Sequence, residues 1–161
     1  MTLELAPARL SAIALALFSV GGLAACSGAP STGGGGLAPG LVSQISAPGA
    51  QMDRQAAIGI INQYRATRGV PLTADPALDA QAQTVAAQYA STGTPPARPA
   101  GVTNMRLSAG YTNFAETFSG WRNSPADADV LAQGAARRAG FAAVYDPNSA
   151  YGAHWVMLLG Q

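Results

Sequence analysis

Gly120-Trp121-Arg122-Asn123-Ser124-Pro125-Ala126-Asp127 is a junction between two helices, and the plan of the surrounding chain can be read outward from it. Upstream, Phe114, Phe118 and Trp121 recur at i, i+4 and i+7, a spacing that puts three aromatic rings on one helical face. Such a stripe is core material. Downstream, Ser124 stands at an N-cap position and Pro125 at the first helical position, where its missing N–H is no loss. Asp127 falls in the first turn, where the positive end of the helix dipole favours a carboxylate.

Toward the N-terminus, the stretch from Asp53 to Arg68 carries Ala57, Ile60, Ile61 and Tyr64 at i, i+3, i+4 and i+7, which predicts an amphipathic helix. Gly69 supplies its stop and Pro71 prevents continuation. Asp75 and Pro76 form a second helix start, with Leu78, Ala82, Val85, Ala86 and Tyr89 on one face as far as about Ser91. From Thr92 to Gly110, Pro95-Pro96-Ala97-Arg98-Pro99 and scattered glycines break any period, so that segment is expected to be loop. Toward the C-terminus, Ala139–Tyr145 and Tyr151–Leu159 are apolar runs separated by the turn residues Asp146-Pro147-Asn148-Ser149, which predicts a β-hairpin. The second run is apolar at nearly every position and suits a strand covered on both faces. Helices beside such a hairpin give an α/β layered domain.

The N-terminus has a different character. One basic residue, Arg9, precedes the apolar run Leu10–Val20 and the small-residue end Gly21-Gly22-Leu23-Ala24-Ala25-Cys26, too short for a comfortable membrane span and built as a secretory signal. Leu23-Ala24-Ala25-Cys26 resembles the lipobox of bacterial lipoproteins. That resemblance implies cleavage before Cys26, which becomes a diacylated and then N-acylated first residue carrying chains such as palmitate. One acyl chain holds only marginally, whereas three make a durable membrane anchor. Ser27 gives no aspartate-type retention signal, so in a source with two membranes the expected destination is the outer one, facing the periplasm. Cys26 is the only cysteine, which leaves no disulfide to support the fold.

Residues 1–25 are therefore expected to be the lipoprotein signal peptide. Residues 26–50, rich in Gly, Ser, Pro and Ala with the run Gly33-Gly34-Gly35-Gly36, are expected to be the acylated cysteine and a flexible linker with a reach of roughly 27 Å. Residues 51–161 make one domain. Without Glu4 and Arg9, eight Arg, no Lys and seven acidic residues remain, a near-balanced charge that excludes an electrostatic case for nucleic acid.

The domain resembles a known family. Ile61-Asn62-Gln63-Tyr64-Arg65, Gly69-Val70-Pro71-Leu72, Asp75-Pro76-Ala77-Leu78, Ala82 and Ala86-Ala87 are similar to the opening of the CAP superfamily, also called the SCP or cysteine-rich secretory, antigen 5 and pathogenesis-related 1 family, in its bacterial form. Ala109-Gly110-Tyr111, Gly120–Pro125, Arg138-Ala139-Gly140-Phe141-Ala142 and Tyr151–Leu159 continue the family's order. The resemblance implies an α-β-α sandwich, here reduced, with N-terminal helices and the C-terminal hairpin. It also implies a surface cleft lined by paired histidines and glutamates that can hold a divalent metal.

The cleft residues do not carry over. In the family pattern W-x-x-S-P-x-H the histidine position is Asp127, and in E-N-x-x-A-G-Y the Glu and Asn positions are Met105 and Arg106. Thr92–Arg106 contains no upstream cleft histidine. The only histidine, His154, lies in the last apolar strand and reads as packing. With one His and one Cys the chain lacks the ligand set of a zinc site, no loop has the acidic spacing of a calcium site, and no G-x-S-x-G elbow is present. Met105, Arg106 and Asp127 are thus expected to mark a degenerate cleft, with no catalytic residue, metal or cofactor. The expected function is a membrane-anchored envelope module that is non-catalytic and acts by binding or as structure, its partner a protein or a small apolar ligand. The competing expectation is a hydrolase or metal-dependent enzyme using Glu116, Asp127 and His154, which requires those three side chains to converge.

Overall fold

Two aspartates start the first two helices. Asp53 accepts the Ala56 N–H at 2.9 Å and opens α1 (Arg54–Arg65). Asp75 accepts the N–H groups of Ala77 and Leu78 at 2.8 and 3.3 Å and opens α2 (Pro76–Thr92), with Pro76 at the first position and Gly93 in the left-handed conformation that closes it. The structure, a computed structural model, describes residues 36–161. Residues 1–25, expected to be a signal peptide, and Cys26 lie outside the described residues.

Asn113 caps α3 (Phe114–Asn123) by accepting the Glu116 N–H at 3.0 Å, and α4 (Pro125–Leu131) follows at once. Ser124 holds the N-cap position as the sequence predicts. Its hydroxyl makes no capping bond, however, and its carbonyl accepts the N–H groups of Asp127 and Ala128 instead. Gly120 leaves room for the neighbouring ring, since a Cβ there would stand 2.6 Å from Tyr111 Oη and the exposed tyrosine would have to shift.

The strands are β1 (Thr73–Ala74), β2 (Asn104–Ala109), β3 (Arg138–Tyr145) and β4 (Ala153–Gly160), in the sheet order β1-β3-β4-β2. The β3–β4 pair is the predicted antiparallel hairpin, β2 adds antiparallel to β4, and β1 joins parallel to β3. Strand β2 corrects the expectation of loop from Thr92 to Gly110. Met105 and Leu107 alternate with Arg106 and Ser108, a period too short to show beside a proline-rich run, and the strand depends on the distant β4 for its pairing.

Helix α2 covers one sheet face, burying Leu78, Ala82, Val85 and Ala86 against Ala142, Val156 and Leu158. Helices α1 and α3 cover the other, where Ala57, Ile61, Phe114, Phe118 and Trp121 pack on Phe141, Trp155, Met157 and Leu159. This is the α-β-α sandwich expected. Every residue of β4 is buried, as its apolar run on both faces requires. Contact between α2 and β3 is so close that a Cβ on Gly140 would lie 2.2 Å from the Leu78 backbone carbon.

Because β1 is only two residues long, β3 would leave an open edge beyond it. Side chains close it. The Asp79 carboxylate accepts the Phe141 N–H at 2.7 Å, and Arg54 Nε donates to the Phe141 carbonyl at 2.9 Å.

Two expectations are corrected on the α1 side. The domain does not begin at Gln51, because Leu41 and Ile45 are core residues, only 3% and 2% exposed, in a segment that contains a 3-10 turn at Pro39–Leu41. Ile45 N–H donates to the Thr112 carbonyl at 2.8 Å, which ties this segment to the start of α3. The compact unit runs from Gly35 to Gln161, so the linker reading does not hold for residues 36–50. Its Gly, Pro and Ala content masked two apolar residues that find a groove only in three dimensions.

The second correction concerns the buried face of α1, which is centred on Ala57, Ile58, Ile61 and Arg65, with Ile60 and Tyr64 half-buried at its margin. Arg65 is fully buried. It donates to the carbonyls of Val70 (2.8 Å), Leu131 (2.7 Å), Gln133 (3.0 Å) and Ala136 (3.2 Å), and so clamps the loop after α1 to the connection between α4 and β3.

Candidate functional site

The positions that the resemblance assigns to the cleft sit where β2 meets α4. Arg106 is paired across the ladder with Met157, so its side chain lies on the α1–α3 face of the sheet. There its Nε stands 2.9 Å from Asp127 Oδ1 in an ion pair whose side chains are 22% and 32% exposed. The Nε contact lacks hydrogen-bond alignment. The guanidinium also donates through Nη1 to the Met105 carbonyl at 2.7 Å and through Nη2 to the Ala126 carbonyl at 3.3 Å. Met105, one residue earlier, points to the opposite face and packs against the α2 cluster. Of the three positions, only Arg106 and Asp127 meet.

Glu116 is engaged elsewhere. Its carboxylate accepts both the N–H and the hydroxyl of Thr112 at 3.0 Å while its own N–H donates to the N-cap Asn113, so that both groups of Glu116 secure the start of α3. The Thr112 bonds hold its pKa below the ordinary carboxylate value, so it stays ionised as a capping group.

His154 is fully buried on the α2 face of the sheet. It shares that face with Val156 and Leu158, and its ring meets Tyr89 of α2 edge-on at 4.8 Å. Nδ1 lies 3.2 Å from the Gly152 carbonyl, which fixes the Nδ1–H tautomer and leaves Nε2 to accept the Ser149 hydroxyl at 3.3 Å. Burial lowers the pKa of the ring, with the Gly152 bond and Asp146 acting in the opposite direction, so it is neutral at neutral pH.

The Ser149–His154 contact was not visible in sequence, where no nucleophile motif surrounds Ser149. It places a hydroxyl beside an imidazole, but the third partner is a carbonyl rather than an orienting acid. The Ser149 oxygen is itself held by the Tyr151 N–H at 3.2 Å. This arrangement clasps the β3–β4 turn.

The required convergence of Glu116, Asp127 and His154 does not occur. His154 is separated from the other two by the sheet, Asp127 is paired with Arg106, and Glu116 caps α3. Among the described residues no group of three or more His, Cys, Asp or Glu side chains is placed to hold a metal ion. The cleft positions of this chain therefore do not fit the divalent ion that the resemblance implies.

The α-β-α sandwich defines the class of domain. The chain belongs to the cysteine-rich secretory protein (CAP) family, whose model matches residues 58–159. No curated protein matches the chain. Among solved structures it is similar to MpPR-1i in a crystal soaked with selenourea, with TM-score 0.55 and 17% identity over 66% of this chain and 88% of that one. It is also similar to an outer surface protein from Borrelia burgdorferi, with TM-score 0.46 and 19% identity over 70% and 98% of the two chains. The first similarity supports the fold, and the second adds nothing to it.

Proposed function

We propose that this chain is a lipid-anchored envelope lipoprotein whose CAP domain serves as a binding or structural module and not through polar-cleft chemistry. The observation that carries this reading is the Arg106–Asp127 pair. Where the resemblance implies an Asn and a metal-binding His, this chain has a cation and an anion that neutralise each other. An ion in that place would meet a guanidinium, and Asp127 would have to leave its partner to bind it.

The lipobox Leu23-Ala24-Ala25-Cys26 supports the anchor. Cys26→Ser is expected to leave the protein unprocessed or to move it from the detergent phase to the aqueous phase on Triton X-114 partitioning. Unchanged detergent partitioning would contradict lipidation. For the pair, a double-mutant cycle with Arg106→Ala and Asp127→Ala is expected to give a coupling of about 0.5–1 kcal/mol, modest because both groups are partly exposed. Zero coupling would remove the pair as an interaction.

A further inference from the structure

We propose that the groove between α1 and α3 is a bilayer-docking surface that seats the domain on the anionic lipid leaflet in which the chain is anchored. Leu41, Ile60 and Phe118 contribute to a groove of about 350 Å³, and Leu37 stands beside them 55% exposed. Val42, one residue beyond the turn that carries Leu41, is 45% exposed. One cation, Arg122, lines this apolar strip, and a second, Arg68, stacks on Tyr64 beside it. The Arg122 guanidinium lies 5.8 Å from the Phe118 ring and that of Arg68 lies 4.4 Å from the Tyr64 ring, while the two rings pack edge to face at 5.9 Å. The carboxylate at the rim, Glu116, is held by Thr112.

Apolar side chains flanked by arginines match the two layers of a membrane surface, acyl boundary and phosphate. Chain length selects the bilayer as occupant. Leu37 lines the groove and lies eleven residues after Cys26, so an extended chain cannot place it more than about 40 Å from the acylated residue. Docking rests on the reading that Cys26 is acylated for its place in the cell, but the surface property does not, and the test separates them.

Residues 26–161 contain the whole compact unit, and Cys26→Ser leaves them without a cysteine or an anchor. In that chain a single Ser119→Cys in the groove, or Gln83→Cys on α2 at the opposite face, takes an environment-sensitive nitrobenzoxadiazole label. With vesicles of phosphatidylglycerol and phosphatidylcholine, the Ser119 label is expected to brighten and shift to the blue and the Gln83 label to stay unchanged. Leu37→Asp should abolish the response, and Arg122→Gln should weaken partitioning roughly fivefold, the effect of one arginine at an anionic surface. Co-sedimentation of the unlabelled chain checks that the dye does not drive binding. No response at Ser119 with no co-sedimentation, an equal response at Gln83, or an unchanged response in Leu37→Asp would overturn the proposal. Failure of acylation in cells would leave these vesicle results as they are.

Discussion

Arg65 shows how one side chain can organise three segments. Its guanidinium, buried without a carboxylate, donates to four carbonyls from the loop after α1 and the α4–β3 connection, and burial, with Arg137 as the second cause, lowers its pKa. A lysine has one point charge and cannot span the four acceptors. Arg65→Lys is expected to destabilise the domain by about 3 kcal/mol in urea unfolding, with little change for Arg68→Lys on the surface. Gly140 tests packing at the same scale. A methyl group there meets backbone atoms of α2, which cannot rotate away, so Gly140→Ala should cost about 3 kcal/mol or prevent folding, whereas Gly134→Ala, which meets nothing within 4 Å, should be neutral.

The hairpin and the segment before α1 carry the predictions at the scale of elements. His154 is neutral in the folded state with a lowered pKa, so below the ordinary value of 6.5 the unfolded chain binds a proton that the native one does not. Stability should therefore be full above pH 6.5 and decline as pH falls below it, by no more than about 1.4 kcal/mol per unit, then level off below the folded pKa. The shoulder should vanish in His154→Gln. A flat curve from pH 7 to 5 in the unsubstituted protein would contradict the buried-neutral assignment. At lower pH, Asp75 and Glu116 act with the usual carboxylate sign. Both pKa values are lowered, so their contribution is present at neutral pH and is lost as pH falls through the folded values. For the segment containing the Pro39–Leu41 turn, Leu41→Ala or Ile45→Ala should each cost about 2–4 kcal/mol, while Val42→Ala should cost little, which places the domain boundary before Pro39.

Elements with their own punctuation were legible in the sequence. Asp75-Pro76 and the period of Leu78, Ala82 and Val85 mark α2 without help from the rest of the chain, and the turn Asp146–Ser149 between apolar runs marks the hairpin. What escaped depends on partners far along the chain. Strand β2 exists because β4 offers a ladder, Leu41 and Ile45 are core because they join the apolar cluster of α1 and α3, and Arg65 is buried because two distant loops present carbonyls to it. The cleft positions were readable only as departures from a pattern. That Arg106 and Asp127 meet, that Met105 turns to the other face, and that Ser149 reaches His154 are consequences of sheet pleat and register.

At the scale of the molecule, the two faces of the sheet have separate tasks. The α2 face is apolar packing closed at one end by the His154 clasp, and the α1–α3 face holds the aromatic core, the exposed groove and the Arg106–Asp127 pair. The CAP fold is present while two of its cleft positions, Arg106 and Asp127, pair with each other, and the proposal of a module without cleft chemistry rests on that pair. Isothermal titration of residues 26–161 with Zn²⁺ tests that most directly, in the unsubstituted chain and in Asp127→Ala. The heats are expected to show no saturable one-site binding in either protein. Saturable one-to-one binding in the unsubstituted chain that is lost in Asp127→Ala would contradict a neutralised cleft.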